Sequence, residues 1–219
     1  MPGSRTASLR TPRHLIFAFA MLILAMVGID QTTKFHAEKN FLHWSHPTEV
    51  HHMNTNKQHV FTLGNSPSEI FKKGASPNQI TSSWLDFHLT YVRNTGAAWG
   101  ALSSMPRSFR TPFFTIVTII ALSIVAWLFT SSHPGQRFYR VGLICIFAGA
   151  VGNFVDRLAL GYVIDWLQFH WKVFGWEYSF PVFNLADVFI NVGVGVILID
   201  LLLTEIQMRK LAIQNEANQ

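Results

Sequence analysis

Two aspartates are of a type and placement from which chemistry could be built. Asp165 lies in GNFVDRLALGYVIDW (residues 152–166) and Asp187 in FPVFNLADVFINVG (residues 180–193). Both fall at the ends of long apolar segments. A carboxylate is costly at membrane depth, so an ionisable group there is a functional candidate. Two carboxylates close enough to share a proton cannot both ionise cheaply. The ionised member can take a proton from water while the protonated member polarises a scissile carbonyl. That is amide hydrolysis without a metal or covalent intermediate, and a membrane-embedded peptidase is the leading reading. The structural alternative is that Asp165 caps a turn and Asp187 favours a helix N-terminus through its dipole.

Other polar residues gather near the same segment ends. Asn94, Asn153 and Asn184 each have small residues nearby. An amide both donates and accepts hydrogen bonds, so these could hold an extended peptide or orient the aspartates. Helix capping is the plainer alternative for each. Asp156 and Arg157 could form an internal ion pair, or Arg157 could meet a substrate carbonyl or a lipid phosphate. Asp30 and Lys34 stand four apart, the spacing of a pair on one helix face. A structural role is favoured for Asp156, Asp30 and Lys34. Asp200 reads as an interface residue at the other end of its segment. His43, His46, His51, His52 and His59 invite a metal reading, but ligands need defined spacing and support. Their stretch is otherwise unpatterned, so a solvated loop is favoured and no metal or other cofactor is expected.

The elements that must position these residues are membrane spans. Of the 219 residues, 49% are hydrophobic and only 13% charged, against about 25% charged in soluble domains. The length suits one domain. The single cysteine, Cys145, excludes a disulfide within the chain and a thiolate-rich metal site; a small buried hydrophobe is expected there. Four segments near the length a bilayer requires occur at about residues 14–33, 112–130, 141–160 and 186–203. Arg5, Arg10 and Arg13 before the first could mark a cleaved leader, but no small-x-small site follows its core, so it is read as a span.

The formal net charge is +5, with arginines beside the apolar segments. Positive-inside orientation accounts for them without nucleic acid. Arg5, Arg10 and Arg13, then Arg137 and Arg140, then Arg209 and Lys210 share a side, the cytoplasm. Both termini are then inside, and residues 35–110 and 161–185 face outward. Asp30, Asn94, Gly96, Asn153, Asp156, Arg157, Asp165, Asn184 and Asp187 converge on the outer boundary. There, WLDFHLTYVRNTGAAW (residues 84–99) suggests short surface strands, and WKVFGWEYSF a hairpin around Gly175. Trp171, Phe174, Trp176 and Tyr178 suit the headgroup belt. The tail after Gln207 is expected to fray.

At these residues the chain resembles the lipoprotein signal peptidases, the type II signal peptidases of bacteria. The resemblance rests on DQTTK (30–34), NTGAAWG (94–100), GNFVDRLALGYVIDW (152–166) and FNLAD (183–187), in that order. It covers about residues 14–36 and 84–206, and only the joint match is specific. It implies a membrane all-α bundle of four transmembrane helices with a small β-cradle on the outer, periplasmic surface and a periplasmic half-helix. It implies an aspartic endopeptidase of the bacterial inner membrane that cleaves diacylglyceryl-modified prolipoproteins before the lipidated cysteine. The catalytic pair would be Asp165 and Asp187. Asn94, Asn153, Arg157 and Asn184 would contact substrate or support the pair; Asp30, Lys34, Gly96 and Asp156 would be structural. The expected partners are prolipoprotein substrates, membrane lipid and globomycin-type inhibitors, with no nucleic acid, and a monomer suffices.

Two features depart from the family pattern. The outer segment carries an insertion at about residues 37–83, and Trp99 stands where phenylalanine is common. Two further readings compete. A small transporter or channel subunit would place acids along a path through the membrane, whereas here they gather at one face. A non-catalytic assembly protein would work through the insertion, against the intact motifs.

Overall fold

The computed structural model describes residues 13–41, 58–64, 83–96, 105–173 and 176–217. The elements in order are α1 (Arg13–Phe41), β1 (Gln58–Gly64), β2 (Ser83–Asn94), α2 (Arg107–Ser131), α3 (Arg137–Ala159), β3 (Val163–Val173), β4 (Trp176–Ser179) and α4 (Leu185–Ala217). All four helices are long and apolar enough to cross a membrane. The helices and the small sheet are the fold class that the sequence implies. Among the described residues no half-helix stands apart from the four long ones.

Several boundaries differ from the sequence reading. Helix α1 continues beyond its apolar run, where Ala37 is buried and Glu38 accepts a hydrogen bond from the Tyr91 hydroxyl at 3.2 Å. Helix α2 starts at Arg107, with Phe109 and Arg110 N–H donating to the Pro106 carbonyl. Pro112 therefore lies inside the helix, in its second turn, where it has no N–H to donate to the Ser108 carbonyl. Helix α4 runs to Ala217 instead of fraying after Gln207. At 33 residues it is about 50 Å long, more than the roughly 30 Å hydrocarbon core. Its last turns carry the i,i+4 pair Arg209–Glu205 at 2.7 Å.

The chain forms two compact units. The first comprises residues 1–29, 115–155 and 186–219. In it α3 and α4 meet along small residues. A Cβ on Gly142 would lie 2.7 Å from the Gly193 carbonyl, and one on Gly149 would strike the Ala186 carbonyl. The two pairings advance by seven residues in opposite directions, so the helices are antiparallel. Small residues let helix backbones approach where lipid gives no hydrophobic drive to associate. Cys145 borders this seam, facing Gly193. Elsewhere in the unit the buried Arg140 guanidinium lies 4.4 Å from the Phe129 ring centroid and 5.3 Å from that of Phe19.

The second unit comprises residues 30–114 and 156–185. Its four strands are antiparallel in the order β1-β2-β3-β4. The expected short strands at 84–99 are one twelve-residue strand, β2. The expected hairpin joins β3 to β4, with Val173 opposite Trp176. Strand alternation sorts side chains onto two faces. Phe87 packs on Phe169 at 4.6 Å and Trp171 on Tyr178 at 5.1 Å on one face, where Trp171, Tyr178 and the neighbouring Phe180 are exposed. Asp86, His88, Thr90 and Gln168, on the other, are buried. His59 belongs to β1, opposite His88, rather than to a loop. His43, His46, His51 and His52, like Ala97, Ala98 and Trp99, lie outside the described residues.

An ion cluster ties α1 to α3 within this unit. Lys34 Nζ lies 2.8 Å from Asp30 Oδ2 and 3.0 Å from Asp156 Oδ2. Gln31 Nε2 donates to Asp30 Oδ2 at 3.2 Å and to Asp156 Oδ1 at 3.0 Å. Lys34 and Asp30 are each only 1% exposed. Charges so deep are tolerated because each meets an opposite charge and further donors.

Two stability predictions follow from this packing. Lys34→Met leaves two buried carboxylates without their ammonium and should cost about 3–5 kcal/mol, read as a lower thermal midpoint in detergent. Adding Asp156→Asn should recover part of that loss. Gly149→Val should lower stability by about 1–3 kcal/mol; an unchanged midpoint would contradict the close α3–α4 approach.

Candidate active site

Asp165 lies on strand β3, not at the end of a span. Helix α3 stops first: Leu160 N–H donates to the Asp156 carbonyl at 2.7 Å and Gly161 N–H to that of Arg157 at 3.1 Å. Gly161 has φ of 81°, the left-handed conformation that ends many helices and that glycine adopts without strain. The space its absent side chain leaves is also used. A Cβ there would lie about 2.6 Å from the Arg107 guanidinium carbon, and Arg107 donates to the Leu160 carbonyl at 3.1 Å. After this turn the run VIDWLQFHWKV pairs with β2, with Asp165 opposite Val92.

Asp165 is 2% exposed, and each carboxylate oxygen has an amide donor. Asn184 Nδ2 lies 2.6 Å from Oδ1 and Asn94 Nδ2 lies 2.9 Å from Oδ2. Asn94 closes β2, and its own Oδ1 accepts the Gly96 N–H at 3.0 Å. That bond orients the amide so that its nitrogen faces Asp165. Thr95, between them, is held through its carbonyl by Arg110 at 2.6 Å. Asn184, with no exposed surface, directly precedes α4. Phe183 N–H donates to the Leu167 carbonyl at 3.0 Å, and the Phe183 carbonyl accepts the N–H groups of Leu167 at 2.8 Å and Trp166 at 2.9 Å. This short bridge to β3 sets the segment from which Asn184 reaches Asp165.

Asp187 occupies the first turn of α4, where a carboxylate suits the helix dipole. Its Oδ1 accepts from Asn153 Nδ2 at 2.8 Å. Asn153 projects from α3, and the small-residue seam brings the two helices close enough for the bond. The Asp187 carbonyl accepts from Asn191 Nδ2 at 2.8 Å. Each aspartate thus accepts a hydrogen bond from at least one side-chain amide, which helps to orient its carboxylate. Asp165 and its two asparagines belong to the second unit, Asp187 and Asn153 to the first.

The remaining sequence candidates sort as follows. Asp30, Lys34 and Asp156 form the ion cluster, with Asp156 taking Lys34 as ion-pair partner. The Arg157 guanidinium sits 5.0 Å from the centroid of the Phe114 ring. Gly96 supplies the N–H that orients Asn94. Among the described residues no group of three or more histidine, cysteine or acidic side chains could hold a metal.

Sequence reasoning missed Gln31, Gly161, Arg107 and Tyr91. Gln31 stood inside the DQTTK motif, and Gly161 directly follows a helical run, a recognised stop signal. Nothing local marks Arg107. Tyr91 is fully buried on β2; burial pushes its phenol up, beyond the usual tyrosine range, so it stays a neutral donor. Arg93 donates to that hydroxyl at 3.3 Å and stacks 4.9 Å from the Tyr162 ring centroid.

Comparison with known proteins bears on the whole chain. A family model described as signal peptidase (SPase) II matches residues 22–203. A lipoprotein signal peptidase of Geobacter metallireducens is 43% identical over 124 residues, covering 57% of this chain and 73% of that one. One of Anaeromyxobacter sp. (strain Fw109-5) is 31% identical over 201 residues, 88% of either chain. A solved bacterial membrane enzyme, determined by the in meso method, superposes with a TM-score of 0.55 at 30% identity, over 85% of this chain and 88% of that one. Similarity that extends through all four helices and the strands between them places this multi-pass membrane chain in the signal peptidase II family.

Proposed function

We propose that the chain is an aspartic endopeptidase that removes the signal peptide from diacylglyceryl-modified prolipoproteins, cleaving before the lipidated cysteine. Asp165 and Asp187 are its catalytic pair, and the two units act together as one peptidase. The observation that carries this reading is the way Asp165 is held. A carboxylate 2% exposed, with an amide donor on each oxygen, keeps a fixed orientation. One of those donors, Asn184, precedes Asp187 by only three residues in the chain. Asp187 in turn has its own asparagine.

The chemistry needs one proton shared by the pair. The ionised carboxylate takes a proton from water as the oxygen adds to the scissile carbonyl carbon. The protonated carboxyl gives its proton to the carbonyl oxygen, forming a neutral tetrahedral diol. Collapse of that species breaks the C–N bond. The proton taken from water passes to the departing amine, and a hydroxyl proton returns to the other carboxylate. Asn94 and Asn184 keep Asp165 aimed, and Asn153 does so for Asp187. Arg157 stands ready for a carbonyl of the bound peptide. No metal or cofactor takes part.

Substrate and membrane set the depth. The lipid on the cysteine keeps its chains in the bilayer, which holds the scissile bond near the headgroups. The basic flanks orient both termini to the cytoplasm and the candidate site to the periplasmic face of the inner membrane. A globomycin-type cyclic peptide is expected to occupy the same site, and a monomer is sufficient.

The test is cleavage of a diacylglyceryl-modified prolipoprotein by the purified protein. Asp165→Asn and Asp187→Asn each preserve size but cannot share the proton. Each should lower kcat by about 10²–10⁴-fold while the protein remains folded. Near-parent turnover in either would remove that residue from the pair. A folded but inactive parent, on substrate confirmed to carry its lipid, would favour a non-catalytic role.

A further inference from the structure

The ion cluster described above does more than join two helices. Asp156 Oδ2, besides meeting Lys34, accepts the main-chain N–H of Ile164 at 3.0 Å. Ile164 immediately precedes Asp165. Its carbonyl carbon is covalently bonded to the Asp165 nitrogen, so a constraint on the Ile164 peptide constrains where the Asp165 side chain starts. The same Asp156 accepts Leu160 N–H at its own carbonyl, 2.7 Å away. One residue therefore grips both the beginning and the end of the turn between α3 and β3. Arg107 holds the middle through the Leu160 carbonyl.

The carboxylate that does this is itself fixed. Its Oδ1 takes Gln31 Nε2 at 3.0 Å, and its Oδ2 takes Lys34 Nζ at 3.0 Å. Both donors stand on α1, where Asp30 also binds them. Asp156 is 2% exposed and Ile164 3%, so water does not compete freely for the bond, and an unmet amide there would be costly.

We propose that Asp156 is a positioning residue, whose carboxylate fixes through the Ile164 amide the stretch of β3 from which Asp165 projects. This rests on Asp165 being catalytic. Asp156 itself touches no reacting atom. Its work is done by an acceptor oxygen at one place, and the negative charge is dispensable to it.

That distinction can be measured in the purified full-length protein. Asp156→Asn retains an acceptor oxygen for Ile164 and Lys34, while losing the Gln31 hydrogen bond to the other oxygen. Asp156→Leu keeps the branched shape and the number of side-chain heavy atoms, is somewhat larger, and removes the acceptor. With the lipid-modified prolipoprotein as substrate, the leucine variant should lose about 100-fold in kcat, the scale of a roughly 1 Å misplacement, with KM nearly unchanged. The asparagine variant should stay within about threefold of the parent. Hydrogen exchange at Ile164 should be slow in the parent and in Asp156→Asn, and fast in Asp156→Leu.

An asparagine variant as inactive as the leucine variant would overturn the proposal, since charge would then be essential. So would parent-like turnover in Asp156→Leu, or rapid exchange at Ile164 in the parent. Should Asp156→Leu fail to fold, Asp156→Ser, polar but too short to reach the amide, takes its place with the same readouts and the same expectations. The exchange pattern is independent of catalysis. If Asp165→Asn proves active, the catalytic pair fails while the exchange contrast among Asp156 variants still reports on the clamp.

Discussion

The structure turns on the cost of keeping carboxylates out of water. Four aspartates that matter here, Asp30, Asp156, Asp165 and Asp187, sit at or next to apolar helices, and the first three are almost wholly buried. Two solutions appear. Asp30 and Asp156 share an ammonium, which neutralises part of their charge and makes them scaffolding. Asp165 and Asp187 each accept hydrogen bonds from asparagine amides. An amide satisfies a carboxylate's lone pairs without itself carrying a charge. Burial alone does not tell these settings apart, since Asp156 and Asp165 are equally inaccessible.

Much of this was legible in the sequence, and for physical reasons. Membrane helices declare themselves by length and hydropathy alone, and charge placement adds direction. The β3–β4 hairpin and the i,i+4 pair of Asp30 and Lys34 are local, so pattern sufficed. What sequence could not supply was the partner of each polar residue. Asp156 neighbours Arg157 in sequence, yet it pairs with Lys34, more than a hundred positions away, which adjacency could not show. The extent of α1 was underestimated because its last turns are polar and earn their place by packing against β2, a long-range contact. Asp165 read as the end of a span because the apolar run LALGYVID does not, by hydropathy, show where the helix stops. Gly161 does, through its backbone conformation and the guanidinium lying over it.

Glycines and asparagines act in complementary ways. Gly142, Gly149 and Gly193 bring α3 and α4 together by having no side chain to obstruct them. Asn153 then spans the remaining gap to Asp187. Bulkier residues along the seam would separate the helices and leave that amide short of its carboxylate. Packing inside the helical unit and hydrogen bonding at Asp187 are therefore one requirement, although the residues are widely spaced.

The order of strands in the sheet has a separate consequence. The two long strands, β2 with twelve residues and β3 with eleven, lie inside, while the edges are β1 with seven and β4 with four. β2 carries Leu85, Phe87, Leu89 and Tyr91, a run that would attract another chain if left as an edge. The insertion covers it from Ser83 to Leu89 with β1, whose own pairing is broken by two register shifts. Short, irregular edges are poor templates for intermolecular strand addition. With β1 paired along it, the edge on that side is a seven-residue strand with two irregularities in place of the twelve-residue β2.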